Sequence, residues 1–188
     1  MERLIKPGLG VLYMKVGTHA RESLEDILLR KTREIEEAGY ALWGYGGGTC
    51  HPLTTVQPFA RTYVKRGGKI LLIMERIDSR HHAEQLRAKD MSHDGISWST
   101  IPATINALGS RYALVIKDLR PEEMRLPLSA THVAYGRSAG VLGSTYIRGR
   151  VDKACLELVD QDVRPEEEET KISLIAEIIP PYAVFLRS

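Results

Sequence analysis

Cysteine is nearly absent from these 188 residues: Cys50 and Cys155 are the only two. Two thiols build no disulfide framework, which excludes the small secreted scaffolds and agrees with a reduced, cytoplasmic setting. Long apolar runs are missing too. The longest aliphatic blocks, ILLIM and ISLIAEII, fall far short of the roughly 20 residues that span a bilayer, so no membrane partner is expected. The N-terminus MERLIKPGLG has acid and proline early and no apolar h-region, unlike a signal peptide. No Walker loop, Rossmann fingerprint, HExxH or CxxC spacing occurs, so no cofactor is implied. Tryptophan and phenylalanine are few, two of each, beside eight tyrosines.

What remains is the composition of a globular protein, 43% apolar and 27% charged. The length suits a single domain over 1–188 with a sizeable core. Net charge is only +2, yet it is unevenly spread. Residues 51–150 hold 15 Lys/Arg against 8 Asp/Glu, while residues 151–188 hold 4 against 9. A basic body attracts anions. The acidic weight falls in DQDVRPEEEET, a solvated surface loop at about 160–171 that offers a docking point for a basic protein partner.

Along the chain, LGVLYMKVG reads as a strand in which Val11, Tyr13 and Lys15 alternate with Leu12, Met14 and Val16. SLEDILLRKTREIEEAG reads as a helix with Ser23 as N-cap and Gly39 at the C-cap; its apolar stripe is interrupted at Lys31. YALW is a short strand. A second helix is expected from Pro58 to Arg66, closed by Gly67 and Gly68. KILLIMERI is a buried strand, RHHAEQLRAKD a short helix, and RYALVIKDL a strand stopped by Pro121. From Thr131 on, β-like segments dominate and no helical pattern is visible. Pro180 and Pro181 mark an edge or a bend. Helices first and strands later predict an α+β fold: a curved mixed or barrel-like sheet with two or three helices concentrated in the N-terminal half.

Two glycine-rich loops carry the functional reading. In WGYGGGTCHP, Gly46, Gly47 and Gly48 lie between a strand and a helix. Backbone amides there can form an oxyanion nest at a helix N-terminus; the same residues also suit a tight turn. Thr49 adds a hydroxyl. Cys50 beside His51 is a candidate nucleophile and base, but adjacent residues seldom point at one another, and a buried structural cysteine is the simpler reading. In AYGRSAGVLGSTYIRGR, Arg137, Ser138, Arg148 and Arg150 supply guanidinium forks and a hydroxyl for phosphate. Arg61, with Lys65 and Arg66, extends a basic face. Trp43, Tyr45 and Trp98 can stack on a base. His82 and His93, among acidic neighbours, are weak metal candidates without ligand spacing.

These residues predict a nucleotide- or nucleic-acid-binding domain that holds phosphate on its glycine/arginine loops and stacks a base on aromatics. Two alternatives stand beside it. One is a phosphoester hydrolase or transferase using Cys50 or a histidine. The other is an interaction subunit of a larger assembly.

Overall fold

The computed structural model describes residues 5–81, 84–148, 151–159 and 169–188. Its described strands join one mixed sheet in the order β2-β6-β9-β3-β1-β8-β7. In chain order they are β1 (Gly10–His19), β2 (Ala41–Tyr45), β3 (Ile70–His81), β4 (Asp90–Ser92), β5 (Ser99–Thr100), β6 (Tyr112–Pro127), β7 (Thr131–Val133), β8 (Lys153–Leu158) and β9 (Glu169–Arg187). β1 and β3 run parallel, and the other pairings are antiparallel; β4 pairs with β9 and with β5, off the main path.

The strong alternation of β1 becomes a two-sided burial. Leu12, Met14 and Val16 face the helices, and Val11 and Tyr13 face the other way. The same period of two places Trp43 with the helices and Leu42 opposite. One face is covered by α1 (Leu24–Ala38) and α2 (Gln57–Gly67), through Leu24, Ile27, Phe59 and Tyr63. On the other face, the segment between β3 and β6 covers one half with Ile101, Ile105 and Ala107. Ile5, Leu128, Val133 and Ile147 cover the other half.

The helix ends follow their sequence signals. Ser23 accepts from the Asp26 amide, and Gly39 sits at φ 83 with its N–H bonded to the Ile35 carbonyl. Pro180 and Pro181 fall where β9 carries extra residues between Ile178 and Ala183 relative to β6, so the expected bend is present and neither proline interrupts a paired stretch.

Four expectations need correction. The sheet curls but is not closed: β2 forms no ladder with β1 or β8 among the described residues. Helix placement matches the N-terminal half only in part, because a single turn, α3 (Gly143–Tyr146), lies in the second half. The helix expected at RHHAEQLRAKD is not formed; β3 runs to His81, and residues 84–89 are irregular. Backbone groups there bond sideways, Ala88 N–H to the Ala107 carbonyl and Lys89 N–H to the Arg187 carbonyl, in place of i−4 partners. β6 also passes through Pro121, which pairs with Leu174 of β9 next to an irregularity in the register.

Candidate functional site

The curl brings β2 across from β8 without joining it. Lys153 Nζ lies 5.7 Å from the Tyr45 ring centroid. Cys50, just beyond β2, is close enough to Cys155 on β8 to perturb its thiol. In this unpaired gap, a cavity of about 290 Å³ opens between α1, the late residues of β1 and β3, β2 and the loop 106–110. That is the low end of small-molecule sites. Trp43, Tyr45 and Gly46 border it from β2, and Lys15, Asp152 and Lys153 border it from β1 and the start of β8. Gly44 is in the wall because a Cβ there would stand 2.2 Å from Ser110 Oγ.

The α1 wall contains a buried charge network. Lys31 and Glu34 are 3% and 2% exposed. Lys31 Nζ donates to Glu34 Oε2 at 2.9 Å and to the Asn106 carbonyl at 2.7 Å. Arg30 donates to Glu34, Glu22 and the same carbonyl. Glu34 Oε1 in turn accepts the Asn106 N–H at 2.9 Å. Burial pushes Lys31 down to about 8, against the attraction of Glu34. The backbone of Asn106 is thus clamped on both sides. Its side-chain Oδ1 is buried and has no hydrogen-bond partner among the described residues.

At the mouth, Lys15 Nζ donates to the Ile147 carbonyl at 3.2 Å, and Lys153 Nζ bonds Asp152 Oδ1 at 2.6 Å. Lys153 is 4% exposed. The two glycine loops are neighbours here. Burial raises the Tyr146 phenol, with Cys50 nearby adding to it and Ser138 opposing it. Of the three consecutive glycines, only Gly47 has positive φ, 77°, and a Cβ on any of the three would meet nothing within 4 Å. Neither backbone conformation nor crowding within the chain accounts for glycine at 46 and 48. All three are exposed.

The remaining candidates separate into other neighbourhoods. His51 Nδ1 accepts from the Leu53 and Thr54 amides, so the first turn after the glycines is capped by its own histidine. Free amides at that helix start, expected from the sequence, are therefore already taken. The His51 ring lies edge-on to Tyr112 and Phe185. Arg61 bonds Gln57 at 3.2 Å, and Gln57 bonds the His93 carbonyl at 2.8 Å, on the α2 side. Trp98 lies under Arg187, 4.2 Å from ring centroid to guanidinium carbon, and does not line the Trp43 cavity. The two tryptophans are not walls of one cage. Arg137 and Arg148 are exposed, Ser138 and Thr49 half-buried. Arg150, His82 and the acidic run 160–168 lie outside the described residues.

Cys50 is fully buried, so a substrate in solution does not reach its sulfur. Burial, and then the nearby Cys50, push the Cys155 thiol up. Burial likewise raises the phenol of Tyr45, which donates to the Cys50 carbonyl. No group of three or more His, Cys, Asp or Glu fit for a metal occurs among the described residues, and His93 has only Asp94, at 4.0 Å. A larger groove, about 420 Å³, runs beside Lys69, Asp118, Arg120 and Glu177. One ion pair, Lys69–Glu177 at 3.2 Å, lies along it, and no aromatic ring lines it. No described helix is long and apolar enough to cross a membrane.

Lys31, Asn106, Lys153 and Lys15 are the site residues that sequence reasoning did not single out. A signal existed for the first: a lysine interrupting an otherwise apolar helical stripe, with glutamate three residues on. Asn106 lies in an irregular stretch and carries no such mark. No family model matches the chain, and no curated protein or solved structure is detectably similar to it.

Proposed function

We propose that this chain is a cytoplasmic nucleotide- or nucleic-acid-binding domain whose base enters the Trp43 cavity. The supporting observation is convergence: an aromatic wall, an exposed glycine loop and two lysines border one base-sized hollow. Trp43 and Tyr45 flank the ring, and the hydroxyls of Ser79 and Ser110 line the polar side. Lys15 and Lys153 stand where the phosphate of a bound nucleotide would lie, beside the backbone of Gly46–Gly48. Arg137 and Arg148, on the neighbouring segment, extend the positive surface for a longer strand.

A fluorescence titration tests this reading. With Trp98→Phe, Trp43 becomes the sole tryptophan, so any optical change reports the cavity. Free nucleotides and short single-stranded oligonucleotides are added at two salt concentrations. The expected outcome is quenching of Trp43, with affinity that falls as salt rises; Lys15→Gln should reduce the salt slope by about 1. Unchanged emission with every ligand removes the proposal.

A further inference from the structure

We infer that Cys50 and Cys155 form a redox latch: in an oxidising glutathione pool they join as a disulfide that holds the gap between β2 and β8 shut. The inference does not depend on what the cavity binds. It begins with position. Cys50 follows β2 and Cys155 lies in β8, with more than half of the chain between them. They are the protein's only cysteines, and both are free and buried.

Tyr45 shows how close they come. Its hydroxyl donates to the Cys50 carbonyl, and its ring centroid lies 5.7 Å from Lys153 Nζ. Side chains two apart on a strand share a face, about 7 Å from one another. Lys153 and Cys155 are such a pair, so one ring spans the gap from the Cys155 face of β8 to the backbone of Cys50. Both cysteines belong to one buried cluster with Trp43 and Tyr45. Each thiol also bears on the phenols of Tyr45 and Tyr146.

The two sides differ in freedom. Cys155 is held: its carbonyl accepts the Ala134 N–H at 2.9 Å, and β8 is paired to β1 around it. Cys50 is approached through Gly46–Gly48, whose backbone can adjust to let the sulfurs bond. That slack gives a use to Gly46 and Gly48, which neither positive φ nor crowding explains.

Burial hides both sulfurs, so exchange starts when the gap opens. One cysteine, as its thiolate, attacks a sulfur of oxidised glutathione. The S–S bond of glutathione breaks, a mixed disulfide forms, and one glutathione thiolate leaves. As the walls return, the other cysteine, as its thiolate, attacks the protein sulfur of that mixed disulfide and expels the second glutathione thiolate. The two thiol protons end on the two glutathiones. The protein is oxidised by two electrons, and one oxidised glutathione becomes two reduced ones.

The full chain is equilibrated in glutathione buffers of rising oxidised fraction, in urea just below the unfolding transition, then acid-quenched for mass measurement. The monomer should lose the mass of two hydrogens. A tryptic digest without reductant should join residues 34–61 to residues 154–171, and a dithiol should reverse both changes. Cys50→Ala and Cys155→Ala should each lack the two-hydrogen loss. Once urea is removed, the oxidised protein should show a higher urea midpoint than the reduced one, because the link closes a long loop. Glutathionyl groups that persist on the cysteines, links between chains, or free thiols at every ratio overturn the latch. So does a midpoint that stays or falls, since the sulfurs would then meet only in a distorted chain.

Discussion

Lys31 shows how one residue can belong to the core and to the site at once. It interrupts the apolar stripe of α1, and the structure buries it with Glu34 against the Asn106 carbonyl. Burial lowers its proton affinity to about 8, from an ordinary value of 10.5, so the folded protein holds this proton less tightly than the unfolded chain does. Between pH 8 and 10.5 the unfolded chain therefore binds more protons at this position, and folding stability rises with pH across that window. Below pH 8 both states are protonated and the contribution is flat. Compared with Lys31→Met, the wild type should gain up to about 3 kcal/mol of relative stability between pH 8 and 10.5. Urea unfolding of both proteins at pH 7.5, 8.5 and 9.5 measures it. Parallel pH profiles would mean that Lys31 is not desolvated in the folded state.

Among the elements, β1 and α2 meet more closely than their sequences announce. Gly10 opens β1, and a Cβ there would lie 2.7 Å from atoms of the Phe59 and Tyr63 rings. Those rings are buried and lie tilted against each other, centroids 5.0 Å apart, so they have little room to withdraw. Gly10→Ala should lower stability by about 1–3 kcal/mol, read as a fall in the urea midpoint at unchanged slope; an unaltered midpoint would show that α2 can lift off the strand. Elements with strong local signals were legible from sequence. α1 was written in Ser23, its apolar spacing and Gly39, and β1 in its alternation. The helix expected after Ser79 was not, because Ala88 and Lys89 find backbone partners on a distant loop and on β9, and no local pattern encodes those. The site divides the same way. Trp43, Tyr45 and Gly46 stood out as unusual residues and do border the cavity, whereas Asn106 becomes visible only once α1 folds beside its loop.

For the molecule as a whole, the decisive feature is the gap that keeps the curled sheet from closing. The glycine loop stands on one side and β8 on the other, and Cys50 and Cys155 meet across it, 0% and 2% exposed. A thiol reagent reaches either sulfur only when the two sides part. Labelling by a small aromatic disulfide therefore measures how often the gap opens, because reaction requires an exposed thiolate. In the native protein both cysteines should react slowly, at a rate that climbs with urea, and both should react at once in the unfolded chain. The cavity occupies the same gap, so a ligand held between Trp43 and Lys153 binds the closed form and protects the thiols. Labelling should then slow by a factor of about 1 + [L]/Kd for a nucleotide that quenches Trp43. A nucleotide that binds without slowing the reaction would place its site elsewhere on the surface. Rapid labelling of free protein at neutral pH would show Cys50 accessible, and would return the nucleophile reading that its burial now disfavours.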